Sequence, residues 1–202
     1  MIAIIDYGAG NLSSVKKALD YLGAESKITQ DSDEILSASH VILPGVGSFA
    51  DAMNSMRERN LVEVVRRAAL TKRFLGICLG LQLLFDGSEE SPDAVGLGIL
   101  KGKIVKIPGS REIKVPHIGW NSVELKQNDG IFKDIEDGGY FYFVHSFYLT
   151  DADTATVAAT AQYGTEIQCA VQSGKLAAVQ FHPEKSGALG LKLLKNFVES
   201  EG

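Results

Sequence analysis

Residues 74–85 narrow the possible folds more than any other stretch: Phe74-Leu75-Gly76-Ile77-Cys78-Leu79-Gly80-Leu81-Gln82-Leu83-Leu84-Phe85. An apolar run suited to a buried strand meets a turn with a glycine on either side of one cysteine, and a helix starts directly after it. This is the glycine–x–nucleophile–x–glycine elbow, a strained strand-to-helix turn that lifts one side chain out of a sheet. A side chain at Gly76 or Gly80 would crowd the turn. Cys78 then stands at a helix N-terminus, where partial positive charge favours thiolate over thiol. Five residues alone equally suit an inert cysteine between a strand and a helix, because free cysteines are often buried. What accompanies the elbow decides between the two.

The flanking sequence is expected to fold as alternating strands and helices. Apolar Ile2–Ile5 fits a strand buried on both faces. A turn at 6–11 leads to a helix capped by Ser13 or Ser14 and running through Leu22, where Gly23 ends it. Strands are expected at 25–28 and 40–43 with a short helix at 33–38 between them. Pro44-Gly45-Val46-Gly47 breaks the third strand, and one long helix is expected at 53–71 before the elbow strand. This β-α-β-α-β-α-β-α order implies a parallel sheet with helices on both faces. From Gly96 the pattern changes to closely spaced strands at 102–107, 121–125, 140–148, 156–161, 167–172 and 176–181. Ser173-Gly174 reads as a hairpin turn, and a last helix at 188–198 closes the chain. The expectation is one α/β domain over 1–202, its second half adding antiparallel strands to the first-half sheet or flanking it.

With 202 residues and 45% hydrophobic content, the chain can bury a real core. A net charge of -5 argues against a nucleic-acid binder. The strongest basic cluster, Arg57, Arg59, Arg66, Arg67, Lys72 and Arg73, is interrupted by Glu58 and Glu63 and reads as a solvated helix face. Two cysteines far apart, Cys78 and Cys169, do not make a disulfide scaffold and point to a reducing compartment. Met1-Ile2-Ala3-Ile4-Ile5 has no basic leader, and no apolar run is long enough for a membrane span, so a cytoplasmic protein is expected. Cys169 lies in an apolar strand and reads as core. The histidines at 40, 117, 145 and 182 show no metal-ligand spacing with either cysteine, so no metal is expected. Gly8-Ala9-Gly10 after the first strand suggests a dinucleotide turn, but Ser13 stands where the third glycine would be.

Ligands of open α/β sheets bind at the carboxyl ends of the strands. Besides Cys78, the end of the last strand carries Gln180-Phe181-His182-Pro183-Glu184. Pro183 holds His182 extended, and a period of two lets His182 and Glu184 face one side. That is the base and orienting carboxylate of a nucleophilic triad. A glycine-bracketed loop at Gly45, Val46 and Gly47 can aim N–H groups at an oxyanion, together with the N–H of Leu79.

These residues resemble the class I (triad-type) glutamine amidotransferases, and within them the glutaminase subunits of imidazole glycerol phosphate synthases. The resemblance runs the length of the chain. It rests on Asp6-Tyr7-Gly8-Ala9-Gly10-Asn11-Leu12, Pro44-Gly45-Val46-Gly47-Ser48-Phe49 and the elbow continued by Gln82. Further marks are Pro116-His117-Ile118-Gly119-Trp120-Asn121, Phe143-Val144-His145-Ser146 and His182-Pro183-Glu184-Lys185-Ser186-Gly187. Leu81 stands where Met is usual, and Phe147 where Tyr is common. The resemblance implies a flavodoxin-like sheet, no cofactor, and hydrolysis of L-glutamine to glutamate and ammonia. In that family Cys78 matches the nucleophile, His182 the base and acid, and Glu184 the orienting carboxylate. Gln82, His145 and Ser146 match the glutamine pocket. The ammonia needs an acceptor site, for which a chain of this length leaves no second domain. The family's partner is a cyclase (β/α)₈ barrel in a heterodimer, with Asn11, Trp120, Tyr142 and Lys185 matching positions at or near the interface. The resemblance also implies a glutaminase nearly silent without that partner. The glutaminase of pyridoxal phosphate synthesis is a more distant match, since its elbow usually lacks the Cys-Leu-Gly-x-Gln run.

Overall fold

The apolar runs of the first half become strands whose side chains alternate between two hydrophobic layers. In the computed structural model, which describes residues 1–200, these are β1 (Ile2–Ile5), β2 (Ser26–Thr29), β3 (His40–Gly45) and β4 (Arg73–Cys78). The helices between them are α1 (Leu12–Tyr21), α2 (Ser32–Ser37), α3 (Phe49–Glu58), α4 (Val62–Thr71) and the single turn α5 (Leu79–Gln82). The second half contributes β5 (Lys103–Lys106), β6 (His117–Ser122), β7 (Glu124–Leu125), β8 (Tyr140–His145), β9 (Phe147–Thr150), β10 (Val157–Gln162), β11 (Glu166–Ser173), β12 (Leu176–Val179) and α6 (Gly187–Glu199). Ile4 and Ile42 pack with Val15 and Leu19 of α1 and Leu194 and Phe197 of α6. Their neighbours Ile5 and Leu43 point the other way, onto Ile35 of α2, Met53 and Met56 of α3 and Val65 of α4. Both faces of the sheet are thus sealed from water, which is why its strands read as unbroken apolar runs.

The main sheet has the order β2-β1-β3-β4-β12-β11-β10-β7. Its first five strands are parallel, and with β12 as the fifth they follow the flavodoxin order. β11, β10 and β7 continue it antiparallel. Two antiparallel pairs, β5–β9 and β6–β8, stand beside it, so the second half both extends and flanks the sheet. β12 runs next to β4, with Val179 opposite Ile77, which puts the end of the last strand beside the elbow.

Several expected elements are redrawn. The helix expected at 53–71 is two helices. α3 starts at Phe49, its N-terminus capped by Ser48 accepting from the Asp51 N–H. It ends where Asn60 takes φ +57. The N–H of Asn60 bonds the Arg57 carbonyl at 3.0 Å and that of Leu61 the Met56 carbonyl at 2.8 Å, a Schellman ending. The break buries Leu61 completely. α1 begins at Leu12 with Asn11 in the cap position, so neither Ser13 nor Ser14 caps it. The strand expected at 140–148 divides at Ser146, because β8 pairs with β6 while β9 pairs with β5. The strand expected at 121–125 divides likewise into the end of β6 and β7. The basic cluster is more than a solvated face: Arg57 donates to the Val95 carbonyl at 2.7 Å and Arg66 to that of Leu97 at 2.9 Å. The irregular segment after α5 lacks sheet partners for its carbonyls, and these guanidinium groups supply donors. Among the described residues no helix is long and apolar enough to cross a membrane.

Candidate active site

The elbow forms as its glycines require. Cys78 has φ +55 and ψ -109, a conformation costly for a non-glycine residue and held only by its surroundings. A Cβ on Gly80 would lie 1.9 Å from the Leu43 carbonyl oxygen, and one on Gly76 would lie 2.8 Å from that of Gly80. The helix that follows is only one turn long. It therefore brings less of a macrodipole to the sulfur than the sequence pattern implied.

A cleft of about 300 Å³ opens over the sulfur. Val46, Gly47, Cys78 and Leu79 line it from the ends of β3 and β4, and Gln82 from α5. His145 and Ser146 form the opposite wall, and His182 closes it. Gly45 is buried below the rim, opposite Cys78 in the β3–β4 register. Glu184 lies behind His182, with its Oε1 2.8 Å from Nδ1 and both side chains almost wholly buried. Pro183 does keep His182 extended, but residues Pro183–Lys185 form a 3-10 turn. The carboxylate thus reaches the ring by curling back, not by the alternation of a strand. Ser186 Oγ holds the turn by donating to the His182 carbonyl at 2.6 Å, and the His182 N–H bonds the Tyr142 carbonyl at 2.9 Å.

His182 Nε2 is buried with no hydrogen-bond partner. The Cys78 thiol donates instead to the Val144 carbonyl at 3.9 Å, so Cys78 and His182 share the cleft without a closed bond between them. Burial works against the His182 imidazolium. The adjacent Cys78 and the bonded Glu184 outweigh it and push the ring up to about 9. Both neighbours favour the charged ring, Cys78 in its thiolate form and Glu184 through its bond to Nδ1.

His145 and His117 behave oppositely, burial pulling each down to about 4. They are neutral rings joined Nδ1 of His117 to Nε2 of His145 at 3.0 Å. His145 Nδ1 donates to the Phe147 carbonyl at 2.9 Å, and His117 is stacked between Phe143 and Tyr163. Cys169 is fully buried, which raises its thiol and leaves it inert core.

Three further residues stand in or beside the cleft. Glu90 lines the cleft and accepts the Phe49 N–H at 2.7 Å, at the start of α3. It sits in an irregular segment without periodicity, so no sequence signal marked it. Gln180 places Nε2 3.6 Å from Sγ, and its only signal was that it shares alternation with His182. Tyr7 stands in the turn after β1 with its hydroxyl buried and unpartnered, and burial, then the charge of Cys78, raises its ionisation well above the usual phenol range.

Outside the cleft, Trp120 and Tyr142 face each other across β6–β8, their ring centroids 6.2 Å apart. Trp120 is 54% exposed, not core. Lys185 Nζ lies 5.9 Å from the centre of the Tyr142 ring. Asn11 makes no capping bond with its side chain.

A family model described as "Glutamine amidotransferase class-I" matches residues 3–200. The chain belongs to the class I glutamine amidotransferases. Among relatives of this family, the chain is 50% identical over 199 residues to imidazole glycerol phosphate synthase subunit HisH of Moorella thermoacetica, covering 98% of this chain and 94% of that protein. It is 44% identical over 203 residues to subunit HisH 1 of Methanococcus maripaludis, covering 98% and 99%. Solved folds agree. A crystal structure titled as a glutamine amidotransferase superposes with a TM-score of 0.76 at 21% identity, covering 98% of each chain. PurLQS of Thermotoga maritima superposes with a TM-score of 0.75 at 21% identity, covering 97% and 96%. The fold class expected from the sequence, a mostly parallel sheet extended by antiparallel strands, is the fold of this family.

Proposed function

We propose that this chain, as a single glutamine amidotransferase domain, hydrolyses L-glutamine through Cys78, His182 and Glu184. It delivers the ammonia to a cyclase (β/α)₈-barrel subunit making imidazole glycerol phosphate in histidine biosynthesis. The observation that carries this reading is the buried His182–Glu184 pair with its free Nε2 in the same cleft as Cys78. The relatives named as HisH subunits of imidazole glycerol phosphate synthase point to the same pathway. A free thiol nucleophile suits a reducing cytoplasm.

In this reading His182 takes the Cys78 proton and the thiolate attacks the glutamine carboxamide. N–H groups of Leu79 and of the Gly45–Val46–Gly47 loop hold the oxyanion, each such donor contributing ~3 kcal/mol. The C–N bond then breaks, and His182 returns its proton to the departing ammonia. Water, deprotonated by His182, opens the thioester to glutamate and restores the thiol. Glu184 holds the tautomer that presents Nε2. Glu90 is the carboxylate in position to meet the substrate's α-ammonium, while Ser146, Gln82 and the neutral His145 shape the wall. The unclosed Cys78–His182 contact fits an enzyme kept quiet until its partner docks at Trp120, Tyr142, Lys185 and Asn11.

The deciding experiment is a glutaminase assay of this chain with and without the barrel subunit and its nucleotide ligand. Stimulation by both, abolished by Cys78→Ala, is the expected result. Full glutamate release from Cys78→Ala overturns the nucleophile assignment, and strong activity without the barrel overturns the gating.

A further inference from the structure

Gln180 follows β12 directly and is wholly buried. Its Oε1 accepts from Nε2 of Gln82 at 3.0 Å, and its own Nε2 lies 3.6 Å from the sulfur of Cys78. Which end of the amide faces the sulfur follows from the backbone. The Phe147 carbonyl can only accept, and Gln82 meets it at 3.0 Å, so Gln82 must present its NH₂ there. The second hydrogen of that nitrogen points at Gln180, which must answer with oxygen. Its NH₂ is then left for the sulfur. His145 donates to the same Phe147 carbonyl at 2.9 Å and so fixes the anchor.

Besides Gln180 and the adjacent His182, the sulfur meets the Val144 carbonyl. A carbonyl suits the thiol and repels the thiolate, whereas an amide N–H does the reverse. Among the described residues Gln180 is the one hydrogen-bond donor to Sγ. A hydrogen bond to a charged group is among the stronger kinds, and the single turn α5 leaves the sulfur short of other stabilisation.

We propose that Gln180 belongs to the reacting centre: its side-chain N–H holds the Cys78 sulfur and stabilises the attacking thiolate, and Gln82 fixes which end of Gln180 does so. The proposal rests on the reading of Cys78 as nucleophile. Gln180 transfers no proton. The thiol proton goes to His182 Nε2, leaving thiolate and imidazolium, and the amide lowers the cost of that separation. On this account Gln82 serves the sulfur through Gln180 as well as lining the cleft.

The test is alkylation of the full chain by iodoacetamide from pH 6 to 10, read by mass spectrometry on the peptide containing Cys78. It compares the parent with Gln180→Leu and Gln180→Glu. Gln180→Glu keeps the shape and the oxygen that Gln82 needs, so it holds the site if the leucine variant misfolds. The titratable groups around the sulfur are His182 with Glu184 behind it, Glu90 in the cleft wall, Tyr7 in the turn after β1 and His145 at the end of β8. All are common to the three proteins. Alkylation at pH 7 is expected to fall about ten-fold in Gln180→Leu, the size of one hydrogen bond to a charged group, and further in Gln180→Glu. The three rates should converge at alkaline pH. Parent-like rates at pH 7 overturn the proposal, as does slowing by the same factor at every pH, which is a packing effect. Glutaminase activity surviving in Cys78→Ala removes the nucleophile reading and this proposal with it. Unchanged alkylation removes this proposal alone.

Discussion

Single residues set opposing charge states in this cleft, and the consequences are measurable. His182 is buried, which disfavours its cation, yet Cys78 and Glu184 raise it from 6.5 to about 9. Its contribution to stability is therefore complete below pH 6.5 and is lost as the pH rises through 9, on the order of 3 kcal/mol. His117 and His145 are lowered to about 4 by burial, so their contribution is present above pH 6.5 and is lost as the pH falls towards 4. Urea unfolding across pH 4.5 to 9.5 should show a maximum near the unperturbed histidine value. His182→Gln should flatten the alkaline limb and His117→Gln the acid limb. An unaltered alkaline limb in His182→Gln would contradict the charge assignment. Glu90→Gln should raise KM for glutamine by about 10- to 100-fold with a smaller change in kcat, since a carboxylate on the α-ammonium binds ground and transition states alike. A parent-like KM removes Glu90 from substrate binding. Cys78, His182 and Glu184 could be read from the sequence because a glycine-flanked turn and a His-Pro-Glu ending announce themselves locally. Glu90 could not, because it sits in an irregular segment and meets the cleft beside Phe49, far from it in sequence.

At the scale of elements, the site depends on backbones meeting without side chains between them. Gly80 touches β3 through the space a Cβ would occupy, 1.9 Å from the Leu43 carbonyl. Gly80→Ala must push β3 and α5 apart, at a cost of about 3 kcal/mol or more. The same displacement moves Cys78 relative to the 45–47 loop. Both the urea midpoint and the glutaminase activity of the complex should fall, and a variant with parent-like values of both would contradict the close approach. The strand-helix alternation of the first half was readable because two-sided burial produces apolar runs. The split between α3 and α4 was not, because both halves share helical periodicity and only Asn60 and the buried Leu61 mark the turn. The division of the strand at Ser146 was hidden for a similar reason. β-pattern continues through it, and only the change of partner from β6 to β5 shows that the chain bends there. That bend supplies the wall of the cleft opposite the elbow.

For the whole molecule, the His182–Glu184 turn and the exposed aromatics are parts of one mechanical unit. Tyr142 lies on the exposed side of β8 beside Trp120, yet its carbonyl holds the His182 N–H and its own N–H bonds Ser186 Oγ at 3.0 Å. Ile118, Trp120 and Tyr140 expose large apolar surface on the same two strands. Lys185, in the turn that carries Glu184, caps the patch over the Tyr142 ring. A patch of this composition suits a partner surface, where an aromatic anchor commonly contributes at least about 2 kcal/mol. A partner pressing on it bears directly on the strand and turn that position His182. Free ammonia released into water would be protonated and lost as a nucleophile, so in the proposed reading a Cys78–His182 contact that closes only on docking would keep the product for the acceptor. Trp120→Ala should therefore raise the barrel concentration giving half-maximal glutaminase stimulation by about 30-fold, with the plateau at saturation less affected. Titration of the glutaminase with the barrel subunit reads this directly. A parent-like half-maximal concentration would place the partner on another face, and would break the proposed link between the aromatic strands and the Cys78–His182 contact.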